Sequence, residues 1–263
     1  MPEGHTIHRL ARLHRGQFAG HAVATDSPQG RFPGAAQVNG DVLDDTDAYG
    51  KHLFHRFRGG GVVRVHLGLI GTFHSFTNPG PEPRATVRYR IAGPTHTAHL
   101  IGPMTCELLT PDEADAVVAR LGPDPIRRDA DPDRAWEALR RRRVAIGRAL
   151  LDQQVLAGVG NVYRAEVLFV HGVHPEVPAN AITREQFDAM WAWLVQAMRR
   201  GVRSGRIVTV DPDEAGRPRS RLEPRDGRYV YRQDSCRRCG GPIRRWDLGG
   251  RWAYVCETCQ PPP

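Results

Sequence analysis

Four cysteines near the carboxyl end of the 263-residue chain are spaced to hold a metal ion. Cys236 and Cys239 form one Cys-x2-Cys doublet and Cys256 and Cys259 a second, with sixteen residues between the doublets. Each two-residue gap lets a tight turn aim both thiolates at one ion, and four thiolates close a tetrahedral shell. A closed shell leaves no position for substrate. The implied ion is therefore one structural Zn2+, with a redox or iron–sulfur site as the alternative. Between the doublets, Ile243–Trp246 and Trp252–Val255 can pair as a hairpin across residues 247–250. Cys236–Pro263 carries five arginines against two acidic residues, which suits a nucleic-acid groove, although a plain structural ribbon is also consistent.

The other end of the chain offers different chemistry. It opens Met1-Pro2-Glu3-Gly4-His5-Thr6. With the initiator methionine removed, Pro2 presents a secondary amine. A terminal amine has a pKa of about 8, so it is partly unprotonated at neutral pH and can attack an aldehyde-like carbon to give an iminium. Glu3 is then an acid/base candidate. Equally, proline at position 2 is commonplace and a first-turn glutamate simply suits the helix dipole. The chain also uses 36 arginines and one lysine, Lys51. Arginine effectively never gives up its proton whereas lysine can, so a lone lysine among arginines invites a functional reason.

A third stretch runs Leu150-Leu151-Asp152-Gln153-Gln154-Val155-Leu156-Ala157-Gly158-Val159-Gly160-Asn161-Val162-Tyr163. Gly158 and Gly160 permit a tight turn between two helices, and backbone amides at the second helix start, with Asn161 beside them, make a phosphate site. The alternative is that Asn161 is a helix cap and the glycines let the helices pack. Arg140–Arg143 would add counterion-type contacts to the same backbone.

The elements that must position these groups read in two blocks. Glu3–Arg15 has Ile7, Leu10 and Ala11 on one stripe and reads as a helix ending at Gly16. Short alternating or β-branched runs follow at His21–Asp26, Asp41–Tyr49, Lys51–Arg58, Val62–Leu67, Thr72–Phe76, Arg84–Ile91 and His96–Ile101. Separated by Gly- and Pro-rich turns, they predict a β-sandwich or barrel. Pro111–Leu121 reads as a helix, Gly122-Pro123-Asp124-Pro125 as a break. Helical patterns then cover Arg134–Arg143, Ile146–Val155, Val162–His171 and Thr183–Arg200, and residues 206–227, rich in charge, Pro and Gly, read as a loop. There are no internal repeats.

The formal net charge of +8 and pI near 9.8 point to a polyanionic partner, nucleic acid first, or to a merely cationic soluble surface. No apolar run approaches the ~20 residues of a membrane span. The polar start Met1–Arg9 does not read as a secretory signal, so a cytoplasmic protein is expected. Cys106 reads as a small core residue.

Taken together, Met1-Pro2-Glu3-Gly4, Gly50-Lys51-His52-Leu53, His66-Leu67-Gly68, Leu121-Gly122-Pro123-Asp124-Pro125, the Asp152-Gln153 to Asn161 run and the finger with Gly250-Arg251 resemble the formamidopyrimidine-DNA glycosylase / endonuclease VIII family. The motifs fall in the family's order and span essentially the whole chain. The resemblance implies an α+β protein: an N-terminal catalytic β-sandwich with a leading helix (1–121), a linker (122–132), a helical helix-two-turn-helix DNA-binding domain (133–228) and a C-terminal four-cysteine zinc-finger hairpin (229–263). DNA would bind in the cleft between the β-sandwich and the helical domain.

By the same resemblance Pro2 matches the Schiff-base nucleophile and Glu3 the adjacent acid/base group. Lys51 matches a hairpin lysine that contacts phosphate and assists β-elimination. Asn161 matches a phosphate-binding asparagine, and Arg251 a finger arginine that grips phosphate and is linked to the second elimination. His66 matches a phosphate contact, and Tyr231 lies near a tyrosine used similarly. The implied protein is a bifunctional DNA glycosylase/AP lyase of base excision repair, a monomer acting on damaged double-stranded DNA, or on single-stranded or bubble DNA. It would carry no catalytic metal or organic cofactor.

Departures from the 8-oxoguanine branch bear on substrate. This chain has Gly4-His5 where that branch carries Leu-Pro, and Leu69 where it carries a wedge methionine. Its Ile101-Gly102-Pro103-Met104 region lacks the Arg-Phe pair. These favour the endonuclease VIII branch and oxidised pyrimidines, with Leu69 as a void-filling wedge or else an ordinary buried leucine. The competing readings are an 8-oxoguanine/formamidopyrimidine-specific glycosylase on the same scaffold and a non-catalytic zinc-finger DNA-binding protein.

Overall fold

The computed structural model describes residues 2–223 and 225–263; Met1 of the opening motif and Pro224 of the 206–227 loop lie outside the described residues. The chain forms two compact units, Met1–Arg120 and Leu121–Pro263.

The first unit runs α1 (Gly4–Phe18), β1 (Ala24–Asp26), α2 (Gly34–Gln37), β2 (Leu43–Tyr49), β3 (His52–Phe57), β4 (Val62–His66), β5 (Thr72–Thr77), β6 (Val87–Ala92), β7 (His96–Ile101), β8 (Thr105–Leu109) and α3 (Pro111–Ala119). The strands make two four-stranded antiparallel sheets, in the orders β2-β3-β4-β8 and β1-β6-β7-β5. Alternation points Val63 and Val65 of β4 and Tyr89 and Ile91 of β6 into one core, shared with Ile7, Ala11 and Phe18 of α1. This is the expected sandwich with its leading helix.

Two local readings change. The helix does not stop at Gly16, because Phe18 is fully buried and draws the last turn onto the core; the left-handed position falls at Gly20, φ +82°. The sheet also gains β8, whose residues are all partly buried, so the alternation that marks a half-buried strand is blurred.

Inside the sandwich His14 and His55 meet, Nδ1 to Nε2 at 3.0 Å, with Tyr89 Oη 3.4 Å from the far nitrogen of His55. Burial pushes His14 down to about 3; burial, then the neighbouring His14, holds His55 well below 6.5. Both rings are therefore neutral when folded, while in the unfolded chain they take up protons below about 6.5. Their contribution to stability is complete above that pH. It is lost as pH falls below 6.5, in the case of His14 down to about 3, at about 1.4 kcal/mol per pH unit per histidine. The melting temperature should accordingly drop between pH 6.5 and 5, and drop less in a His14→Gln variant; a flat profile would contradict this.

The second unit contains α4 (Pro132–Arg140), α5 (Ile146–Ala149), α6 (Asn161–Val170), α7 (Arg184–Ser204), α8 (Pro212–Ala215), β9 (Arg244–Asp247) and β10 (Trp252–Val255). Thr183 and Gln186 close a reciprocal capping box on α7, and Gly205 at φ +72° ends it. The helix expected over Ile146–Val155 stops after Ala149. Gln153 intervenes: its amide nitrogen donates to the Leu151 and Val159 carbonyls and its oxygen accepts from Gly158 N, holding a closed turn instead.

Residues 121–126, expected at a break and linker, are buried. Gly122 donates to the Gln153 carbonyl at 2.8 Å, and a Cβ there would lie 2.5 Å from Val155 backbone atoms. Within the 206–227 loop stand the short α8 and a 3-10 turn, Arg219–Arg221. Among the described residues no helix is long and apolar enough to cross a membrane.

Candidate functional site

In the first unit Pro2 is half-buried and Glu3 fully buried. The Glu3 backbone serves as N-cap, its carbonyl accepting from Thr6 N at 2.9 Å, but its carboxylate does not cap the helix. Capping therefore does not account for that side chain. Contacts along α1 fix which end of the sandwich it reaches. Gly20 N donates to Leu43 O at 2.8 Å, Arg15 Nη2 to Thr46 O at 2.9 Å, and His14 meets His55, the cross-strand partner of Thr46. Moving back along α1 thus means moving forward along β2. From Arg15 to Glu3 is about 18 Å of helix; from Thr46 to Tyr49, where β2 ends at the turn that carries Lys51, is about 10 Å of strand in the same direction. Glu3 and Lys51 consequently lie toward the same end of the unit.

Lys51 sits half-buried in the β2–β3 turn, which Gly50 makes possible at φ +58°. Beside it His52 and His66 face each other across β3 and β4, ring centroids 4.9 Å apart. Arg64 donates to His52 Nδ1 at 3.2 Å and to Glu107 Oε1 at 2.8 Å, fixing the cluster. Burial, followed by Arg64, His66 and Lys51, pushes His52 down to about 3; burial, followed by Lys51 and Arg64, lowers His66. His66 Nδ1 is buried without a hydrogen-bond partner among the described residues. His66 can thus offer a neutral hydrogen bond rather than a charge.

Leu69 is not a buried leucine: it is 49% exposed, and its neighbours Ile70 and Met104 are 82% and 68% exposed. Met104 N donates to His66 O, and the Ile70 side chain reaches to Gly102, so the loop at 102–104 flanks the 67–71 turn. Three apolar side chains form one exposed tip. Ile70 was not singled out in the sequence, and Met104 only as part of a region lacking an Arg-Phe pair, although apolar residues in glycine-flanked turns are the signal.

In the second unit Asn161 is the first residue of α6 and Gly160 is the cap. Asn161 Nδ2 donates to the Trp252 carbonyl at 3.1 Å, while its Oδ1 is buried with no hydrogen-bond partner among the described residues. Arg164, 1% exposed, donates to the same carbonyl at 2.6 Å and to Gly147 O at 3.2 Å. The hairpin that carries exposed Arg251 is thereby tied to the start of α6. Its turn is closed by Leu248 N to Arg251 O at 2.9 Å and Gly250 N to Asp247 Oδ1 at 3.0 Å. Asn161 and the Arg251 hairpin are brought together across some ninety residues of sequence. Arg164, which does much of the joining, was missed.

The four cysteines converge, with all sulfurs within 4.8 Å of one another; Cys239–Cys256 is 3.4 Å and Cys236–Cys259 3.9 Å. Thiolates around one zinc at 2.3 Å would be about 3.8 Å apart, so the donor set fits that ion. Tyr231 lies in the core, its ring 5.0 Å from Tyr254. The finger is anchored by buried Glu166, whose carboxylate accepts from the backbone N–H of Tyr229, Val230 and Tyr231 at 2.8–3.0 Å and from the Thr209 hydroxyl. Glu166→Ala would strand three buried donors. Each costs about 1–3 kcal/mol, so the variant should lose about 3 kcal/mol or more in a urea melt; a loss under ~1 kcal/mol would refute this anchoring role.

Residues 1–101 match the formamidopyrimidine-DNA glycosylase N-terminal domain, and residues 121–212 match the formamidopyrimidine-DNA glycosylase H2TH domain. The chain is 49% identical over 267 residues to "Endonuclease 8 1" of Mycobacterium tuberculosis, covering 99% of this chain and 100% of that one. It is 31% identical over 274 residues to "Probable endonuclease 8 2" of Streptomyces coelicolor, covering 100% and 95%. The crystal structure of Lactococcus lactis Fpg (MutM) in complex with N7-benzyl-Fapy-dG DNA shares the fold, with a TM-score of 0.81 at 20% identity over 99% of this chain and 100% of that one.

Proposed function

The chain belongs to the formamidopyrimidine-DNA glycosylase / endonuclease VIII family of DNA glycosylase/AP lyases, and we propose that it removes oxidised pyrimidines from DNA through a Schiff base on Pro2. The observation that carries this reading is buried Glu3, its carboxylate not used as a cap, next to Pro2 at the Lys51 end of the sandwich. A damaged nucleotide must leave the stack before its anomeric carbon can be reached. The exposed tip of Leu69, Ile70 and Met104 is suited to fill the gap so created.

The Pro2 nitrogen attacks C1′, and the bond to the base breaks with its electron pair leaving on the base. Glu3 moves a proton at the ring oxygen as the sugar opens, giving the iminium. The iminium acidifies C2′. Loss of a proton there expels the 3′ phosphate, and a second elimination expels the 5′ phosphate; hydrolysis then frees Pro2. Lys51, Asn161, Arg251 and His66 hold phosphates during these steps. Tyr231, packed on Tyr254, seats the finger. The four cysteines hold one zinc, which supplies a structural cross-link there.

The pyrimidine preference rests on Gly4-His5, on Leu69 and on the lack of an Arg-Phe pair near Met104. Duplexes carrying thymine glycol, dihydrouracil, 5-hydroxyuracil or 8-oxoguanine test it directly. Oxidised pyrimidines should be excised at least about tenfold faster than 8-oxoguanine, the discrimination that roughly 1.4 kcal/mol provides. Robust excision of 8-oxoguanine alone would overturn the preference.

A further inference from the structure

The carboxyl end of α7 borders a cavity that the proposed reaction does not use. Its volume is about 340 Å3, and it is lined by Arg200, Arg203, Arg206 and Arg219 with Ser204 and Ser220. The helix supplies Arg200 and Arg203 one turn apart, and the 3-10 turn Arg219–Arg221 supplies another wall. These walls are fixed by hydrogen bonds. Arg206 donates from Nη1 to Leu222 O at 3.2 Å and from Nη2 to Ser220 O at 2.9 Å. Ser204 Oγ donates to the carbonyls of Arg200 and Arg206, each at 3.0 Å.

Two features suit this cavity to an anion. The Nε–H groups of Arg200 and Arg219 are both buried without an acceptor among the described residues. Buried donors in native proteins are normally satisfied, and a charged one especially so. Asp211 pairs with one of the four guanidinium groups, its carboxylate 3.5 Å from Arg219 Nη2. Burial, followed by Arg219 and with Arg203 in the same direction, lowers the Arg200 pKa, against Tyr163 and Asp211. A carboxylate is planar with two oxygens and would leave part of this donor set unused. A tetrahedral phosphate offers oxygens in several directions, and guanidinium forks match them in pairs.

We infer that this cavity is a phosphate-binding site in which Arg200 and Arg219 grip the oxyanion from two walls. The phosphate belongs either to the DNA backbone or to a free phosphorylated compound. The DNA source rests on the proposed function, whereas phosphate binding by itself does not.

The test uses the intact chain, its Arg200→Gln/Arg219→Gln double variant and a Ser220→Asp variant, which places a carboxylate among the arginines. Inorganic phosphate, set against sodium chloride at equal ionic strength, is the probe, and melting temperature the readout. Phosphate should raise the melting temperature of the parent beyond chloride. The double variant should lose most of that increment, and Ser220→Asp should melt higher without phosphate and lose the increment as well. A parent indifferent to phosphate, or variants that both respond as the parent does, would overturn the site. The source is read from log K against log salt on an undamaged duplex. A slope shallower by about 0.9 per lost contact assigns a DNA phosphate; an unchanged slope with a lost increment assigns a free one. Both arms stand whether or not the protein forms a covalent intermediate on DNA, so failure here is separable from failure of the glycosylase reading.

Discussion

Replacing Cys256 with serine is expected to abolish DNA binding and strand cleavage together while leaving the β-sandwich folded. Cys256 is fully buried and belongs to the core of the second unit as well as to the sulfur cluster. The hairpin it closes has two strands of four residues, too few to be stable alone in water. Structural zinc contributes on the order of 10 kcal/mol to small metal-bound modules, far more than such a hairpin's own packing. With it lost, Arg251 is no longer held by the Trp252 carbonyl's bonds to Asn161 and Arg164. Two charge-assisted phosphate contacts at roughly 1.5 kcal/mol each would cost about a hundredfold in affinity. The sandwich has its own core and should retain its near-ultraviolet circular dichroism. Anisotropy on an abasic-analogue duplex, with nicking assayed in parallel, reads the effect. Normal binding and cleavage by zinc-free protein would reduce the finger to a stability device.

The second large effect is expected at the amino terminus. Pro2→Gly keeps an amine but loses the ring that fixes its direction and makes it secondary. Because misplacing a reacting group by about 1 Å costs roughly a hundredfold, base release should slow by two orders of magnitude or more. Binding to an uncleavable duplex should change little, since the phosphate contacts proposed for Lys51, Asn161 and Arg251 remain. Single-turnover kinetics separate the two. A variant that released base at the parental rate would remove Pro2 from the chemistry.

Much of this architecture was legible in the sequence because its signals are local. The two cysteine doublets, the alternating strands and the helical pattern over Thr183–Arg200 are each written in short stretches of neighbouring residues. What the sequence hid depends on partners far along the chain. The Asn161 and Arg164 bonds to Trp252 span about ninety residues, and Glu166 accepts from amides more than sixty residues away. Gln153 ended an expected helix by satisfying a turn that helical periodicity cannot register. Likewise β8 lacked alternation because both of its faces are partly covered. The arginine cavity was invisible for the same reason: residues 206–227 read as a polar loop, and only folding brings Arg219 opposite Arg200.

Borohydride trapping tests the central claim most directly. Intact protein, with Met1 shown by mass spectrometry to be removed, is mixed with a duplex containing an abasic site and reduced. The account predicts a covalent protein–DNA species whose modified peptide begins at Pro2. No cross-link from such protein, or a cross-link mapped to Lys51 instead, would contradict it.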